Sequence, residues 1–409
     1  MCAEFRKKNI SGIIAVILMM VLTLNLNGCA SVNNAGNFRI WTDSLGREVR
    51  LPETVERVAL AGPLAQIVLY ALAPEKLVGY SSDWTADEEQ FIPAQYRNLP
   101  YLGQLYGGKG EMNLEELLAA APDVVIDIGQ PKDSMAEELD ALSEQTGIPF
   151  VHVTMTLDHA GEAFRMLGDL LSLEERAEEY AEYCENIFSR ANDIVARVEA
   201  ESESGSEAEV CMEGDAAESN APAGTSEGDG TSEAGENPEF DAASGTGGTT
   251  GCTGRKKALY VLGPDGLNVI AHDSYHSELM DLFTENLAVL PNPSSKGTGN
   301  EVDMEQILKW NPEVIIFGPD SICKDVAGRP EWQSVQAIAE GRYYQVPFGP
   351  YNWMGFPPSV QCCLGMLWLP QMLYPEYCDY DLKTEVVKYY QMFYHCELSD
   401  AQYERLIHP

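Results

Sequence analysis

One segment of this chain occurs twice. Asn113-Leu114-Glu115-Glu116-Leu117-Leu118-Ala119-Ala120-Ala121-Pro122-Asp123-Val124-Val125-Ile126 aligns without a gap, 190 positions on, with Asp303-Met304-Glu305-Gln306-Ile307-Leu308-Lys309-Trp310-Asn311-Pro312-Glu313-Val314-Ile315-Ile316. The match reaches upstream, pairing Gly107 with Gly297 and Glu111 with Glu301. Each copy reads as a capped helix running into a buried strand. Asn113 with Glu116, and Asp303 with Gln306, have capping-box spacing. Pro122 and Pro312 cannot continue a helix, and the β-branched run behind each favours a strand. A unit repeated in one register predicts two equivalent lobes, not one undivided sheet.

The surrounding pattern agrees. From residue 41 to 157, short apolar β-like runs at 55–60, 76–80, 122–128 and 150–153 alternate with helical periodicity at 64–73 and 134–146. Strands alternating with helices argue for a parallel α/β sheet. Residues 158–198 carry no strand signal. After a first helix to Leu171, apolar positions recur at three- and four-residue spacing through Tyr180, Tyr183, Ile187, Ile194 and Val198, which predicts a long connecting helix. The α/β pattern returns over 255–409, with strands at 258–262 and 312–317, a helix at 277–286, and a helical tail after Pro357-Pro358. The expected fold is α/β: two Rossmann-like lobes with parallel sheets joined by one long helix.

Charge is unevenly placed. The net charge is −38, and residues 199–254 hold 14 acidic residues and no Lys or Arg. So acidic a chain repels phosphate backbones, which excludes nucleic acid as a partner. The 199–254 segment is Gly, Ser, Glu, Thr and Ala with almost no large apolar side chain, and is predicted to be a disordered acidic insert.

Residues 1–28 read as a signal peptide: Arg6, Lys7 and Lys8 precede an apolar run from Ile13 to Leu22 that is short for a membrane span. Leu26-Asn27-Gly28-Cys29 resembles a bacterial lipobox, in which the cysteine is diacylated. Two acyl chains hold a protein stably on a bilayer, so Cys29 is the expected lipidation site. Residues 29–40 are then a tether, and the folded part sits at the extracytoplasmic face of the cell membrane. An exported chain permits disulfides. Cys211 and Cys252 could staple the insert, but pairing is not readable from sequence. No cysteine has CxxC spacing and the six histidines are scattered, so no direct metal site is expected.

Beyond the repeat, several pieces occur in an informative order: Thr42-Asp43-Ser44-Leu45-Gly46-Arg47-Glu48-Val49 with Leu51-Pro52 and Arg57-Val58, then Tyr351-Asn352-Trp353, then Leu367-Trp368-Leu369 with Tyr374-Pro375-Glu376. With the two Glu-containing repeats, they make the chain similar to the periplasmic-binding-protein family of iron-siderophore, haem and cobalamin ABC importers, over roughly 41–409 without the insert. The insert departs from that family's pattern. The resemblance implies two lobes on one helix, a monomer, a metal-chelate ligand, and an ABC permease and its ATPase as partners. It also implies that one Glu per lobe docks onto permease arginines, a role that falls here on Glu115 and Glu305. A carboxylate in a first helical turn also simply complements the helix dipole.

In such an architecture the ligand lies between the lobes at the carboxyl ends of the strands. Candidate ligand-binding residues following strand signals are Trp84, Tyr106, Tyr275, His276, Tyr351, Trp353 and Met354. Their aromatic faces suit a macrocycle or chelate ring. His276 and Met354 are possible axial ligands, though a structural histidine and a packing methionine are the plainer readings. Capture would proceed by hinge closure of the lobes about the helix. The alternatives are an extracellular enzyme and an adhesion or scaffold module. Apart from Gly224-Thr225-Ser226-Glu227-Gly228 inside the acidic insert, which follows no strand, the sequence carries no GxSxG, HExxH, GxxxxGK[ST] or GxGxxG after a strand, so no catalytic residue and no cofactor is expected.

Overall fold

The structure, a computed structural model, describes residues 37–105, 111–210 and 254–409. The leader with Cys29, the candidate Tyr106, and both Cys211 and Cys252 lie outside the described residues.

The N-terminal lobe begins with an antiparallel hairpin, β1 (Phe38–Thr42) and β2 (Glu48–Pro52). Its sheet has three parallel strands in the order β3 (Val58–Leu60), β4 (Val124–Gly129), β5 (Phe150–Thr154). All residues of β3 and β4 are buried, as expected where helices cover both faces. Those helices, one-turn pieces aside, are α1 (Pro63–Leu72), α2 (Leu114–Ala120) and α3 (Met135–Thr146). The strand predicted at 76–80 shrinks to single bridges at Leu77 and Tyr80. Pro74 opens a helical turn up to Lys76, whose ammonium donates to the Val55 carbonyl at 2.7 Å.

Two helices then leave the lobe: α4 (Ala160–Leu171) and, after a left-handed turn at Ser172 (φ 55), α5 (Glu174–Val210). The predicted connecting helix is present and overshoots its bound. It enters the acidic segment for twelve residues, where composition predicted none; residues 211–253 lie outside the described residues.

The C-terminal lobe departs from a purely parallel sheet. Its strands are β6 (Lys256–Leu262), β7 (Asn268–Val269), β8 (Thr284–Asn286), β9 (Asn300–Glu301), β10 (Val314–Phe317) and β11 (Tyr343–Gln345). The order is β11-β10-β6-β7-β9, with β8 on the first residues of β6. The β6, β8, β10 and β11 pairings are parallel, while β7 and β9 run antiparallel. The helix predicted at 277–286 splits into α6 (Glu278–Phe283) and strand β8. The Arg255 guanidinium donates to the carbonyls of Asp281 (2.8 Å) and Leu282 (3.3 Å), capping the helix where pairing to β6 begins.

The repeat is structural. In the first copy, α2 begins at Asn113, whose Oδ1 accepts from the amides of Glu115 (3.1 Å) and Glu116 (3.2 Å). In the second, α7 (Met304–Trp310) begins at Asp303, whose carboxylate accepts from the Gln306 amide (2.8 Å). The side chains at both N-caps make their half of the expected capping box; the reciprocal arm is missing. Both helices end on a left-handed residue, Ala121 (φ 43, ψ 60) and Asn311 (φ 45, ψ 63), before β4 and β10. Those strands lie in separate sheets, as two lobes require.

One apolar core nevertheless spans both lobes. It runs from Val58, Ile126 and Val151, through Phe164, Tyr180, Tyr183 and Ile187, to Tyr260, Ile316 and Trp353. Helix α8 (Cys362–Leu373) packs on α5, and the tail helices α9 (Leu382–Phe393) and α10 (Asp400–Ile407) follow. The tail, read from sequence as part of the C-terminal lobe, crosses back to the N-terminal one. Tyr70 donates to the Tyr394 carbonyl (3.2 Å), His395 Nε2 meets the Tyr70 carbonyl (3.1 Å), and the Tyr180 hydroxyl lies between the carbonyls of Ala71 and Met392. Among the described residues no helix is long and apolar enough to cross a membrane.

Candidate ligand cleft

The parallel strands of both lobes point their carboxyl ends at one cleft. On the N-terminal side a cavity of about 560 Å3 is lined by residues directly after β3 (Gly62) and β4 (Gln130, Lys132), with Tyr275, Ser295 and Pro357 reaching over from the other lobe. On the C-terminal side a cavity of about 720 Å3 is lined by residues after β6 (Gly263, Pro264) and β10 (Gly318, Asp320), with Thr298 and Phe356. Beside the first, sharing Gln130 and Tyr275 with it, a small space of about 20 Å3 is bounded by Met155, Thr156, Glu278, Ser359 and Cys363. Loops after strands carry backbone donors that the ladder leaves unpaired, so a solute can bind there without breaking the sheet.

The lining is mixed in charge. Lys132 supplies a cation and Asp320 an anion. Asp127, also on the wall, lies 2.7 Å from Nδ1 of the fully buried His152. Burial pushes the Tyr275 hydroxyl up to about 12, so it stays protonated and able to donate. Burial, and then the carboxylates of Asp158 and Asp281, raise Glu278 above the ordinary glutamate range. At the rim, ligand atoms of His272, Asp273 and Asp281 come within 4.8 Å of one another. Asp281 already accepts from the Asp273 amide and the Asn286 side chain, both at 3.0 Å.

Of the residues singled out from sequence, Tyr275 lines the cleft. His276 is buried behind it, stacked on Phe356 at 4.5 Å and 11°, with Nδ1 3.2 Å from the Gly355 carbonyl. Desolvation lowers its pKa, which keeps the imidazole neutral. Trp84, Tyr351, Trp353 and Met354 line none of these cavities. Trp84 packs edge-on against Tyr70 (5.5 Å) and Tyr80 (5.3 Å) and at a tilt on Tyr351 (5.9 Å), while Trp353 and Met354 are buried in the shared core. Their aromatic mass holds the lobes together instead of facing the cleft. Sequence reasoning missed Gln130, Lys132, Ser295, Thr298 and Phe356. The rule that selected Tyr275, a position just past a strand, also selects Gln130 and Lys132 behind Ile128. Glu115 and Glu305, the docking candidates, are exposed at equivalent positions of α2 and α7. Six cysteines, Cys184, Cys323, Cys362, Cys363, Cys378 and Cys396, are free thiols, with Sγ of Cys184 and Cys363 3.9 Å apart.

Two α/β lobes on a helical spine, with a cleft at their strand ends, define the class of two-lobe solute-binding proteins. A family model described as "Periplasmic binding protein" matches residues 68–205. The chain is 26% identical over 364 residues to the molybdate-binding protein MolA of Haemophilus influenzae, covering 87% of this chain and 91% of that protein. An ABC transporter solute-binding protein of Sulfurospirillum deleyianum superposes with a TM-score of 0.70 at 25% identity, covering 91% of this chain and 99% of the other. A periplasmic solute-binding protein of Veillonella parvula gives 0.62 at 22% identity, covering 91% and 97%. These matches make the chain similar to periplasmic solute-binding proteins of ABC transporters, which are not enzymes.

Proposed function

We propose that this chain is the receptor of an ABC importer, tethered by lipid on Cys29, and that its cleft takes an oxygen-rich metal chelate of the ferric-siderophore kind. The observation that carries the reading is the cleft itself. Its two cavities, about 560 and 720 Å3, fall in the range that encloses a drug-sized solute. The walls offer Lys132, Ser295, Thr298 and Tyr275 as donors to ligand oxygens. Haem and cobalamin, expected on equal terms from the sequence, are less well served, because the aromatic faces they need lie in the core. A second reading has its own support: the MolA relative binds molybdate, and a metal oxyanion would also use the donors at the strand ends. Glu115 and Glu305 then dock the loaded protein, as a monomer, onto the permease and so onto its ATPase.

Thermal shift with a panel of ferric hydroxamate and catecholate siderophores, cobalamin, haemin and molybdate tests this. A ligand at a hundred times its Kd stabilises by about 2.7 kcal/mol, so a ferric siderophore is expected to raise Tm by several degrees. A shift with molybdate alone replaces the chelate by an oxyanion. No shift with any of them overturns the metal reading.

A further inference from the structure

Among the described residues seven large apolar side chains are exposed, and two of them, Leu118 (50%) and Leu308 (39%), are equivalents in the repeat. Leu118 stands three residues past Glu115 on α2, and Leu308 three past Glu305 on α7. Residues three apart share one helix face. The neighbour in each copy, Leu117 or Ile307, is the helix's one fully buried side chain and fixes it to its own lobe. Burial alternates identically at 111–115 and 301–305, leaving Glu111 and Glu301 exposed on the approach to each helix. The two lobes have diverged in sheet topology, yet each keeps a leucine in water beside a carboxylate. A solitary exposed leucine needs no explanation; the same one at equivalent positions of both lobes does.

We propose that Leu118 and Leu308 are paired apolar anchors on the docking surface, and that their occupant is a membrane partner offering two equivalent sites, each an apolar socket beside a cation. This rests on the docking role of Glu115 and Glu305 and deepens it. The carboxylates meet the cations and set approach and orientation, while the leucines are desolvated on contact and hold the complex. The partner's twofold character is argued from the duplication itself: one surface contacting both patches must present its socket twice.

The test compares three full-length proteins, wild type, L118S/L308S and E115Q/E305Q, binding to the cognate permease–ATPase complex in nanodiscs at low and high salt. Cargo affinity and Tm serve as controls, since all four side chains are exposed. L118S/L308S is expected to bind the transporter about 10- to 100-fold more weakly at both salt concentrations, mainly through faster dissociation. E115Q/E305Q is expected to associate more slowly and to lose salt dependence. If the glutamine variant is impaired while the serine variant binds like wild type, the apolar anchors are wrong and the docking reading stands. If both bind like wild type, the docking reading falls and the anchors with it. A loss confined to one of L118S and L308S, tested singly, overturns the paired socket.

Discussion

The two lobes share a helix and strand but not a sheet. In the N-terminal lobe the strand after the repeat helix is the middle of three parallel strands; in the C-terminal lobe it lies in a larger sheet with an antiparallel edge. Between the lobes, the N-cap, the left-handed exit, the single buried anchor and the exposed Glu and Leu stay in register. The C-terminal lobe adds an antiparallel edge, with the turn at Gly263 to Gly266 reversing the chain into β7 and β9 leading directly into the second copy. What has been kept is the outward face of each lobe, as expected where one partner must be met twice.

The largest test of this equivalence is charge reversal at both docking positions. E115K/E305K is expected to cut uptake more than tenfold with cargo affinity unchanged, measured by transport in whole cells and titration of purified protein; an equal fall in affinity would place these residues in capture instead. Next come the anchors. Leu117→Ala and Ile307→Ala each leave a hole under a helix and should cost about 2–5 kcal/mol. Because one core joins the lobes, both are expected to lower a single calorimetric transition. Two transitions moving separately would show that the lobes fold independently. The smallest effect differs in sign between the copies. Ala121→Gly relieves an alanine held in the left-handed region and should stabilise by about 0.5–1 kcal/mol. Asn311→Gly deletes the Oδ1 acceptor of the Gln336 amide (2.9 Å) and should cost about as much. Equal signs in denaturant titrations would mean that the Asn311 hydrogen bond contributes little and that the two exits behave alike.

What could be read from sequence was local. Helix α2 followed by β4, helix α7 followed by β10, and the apolar face of α5 are each set by residues within one or two turns, so caps, prolines and periodicity located them. Strands β7 and β9 have two residues each, too few for any alternation, and β8 exists only because β6 lies beside it. Cavities lie at the strand ends, where a sequence of alternating strands and helices leads one to look, and Tyr275 lines one of them. Trp84, Tyr351, Trp353 and Met354 stand near strand ends, as cleft residues would. Nearness along the chain does not say which way a side chain faces, and four large side chains turned inward to a core whose span over both lobes no local pattern announces. Lys132 and Ser295 are ordinary polar residues until the second lobe closes over them.

The uninterrupted core through α5, with the C-terminal tail strapped onto α1, bears on the hinge expected from sequence. Swinging the lobes widely apart would expose Tyr180, Tyr183 and Tyr389 to water, at roughly 25 cal/mol for each Å2 uncovered. That cost favours a stiff, pre-shaped cup over a wide hinge. A solute held at the strand ends would then be gripped by a shape set beforehand, not by lobes closing over it.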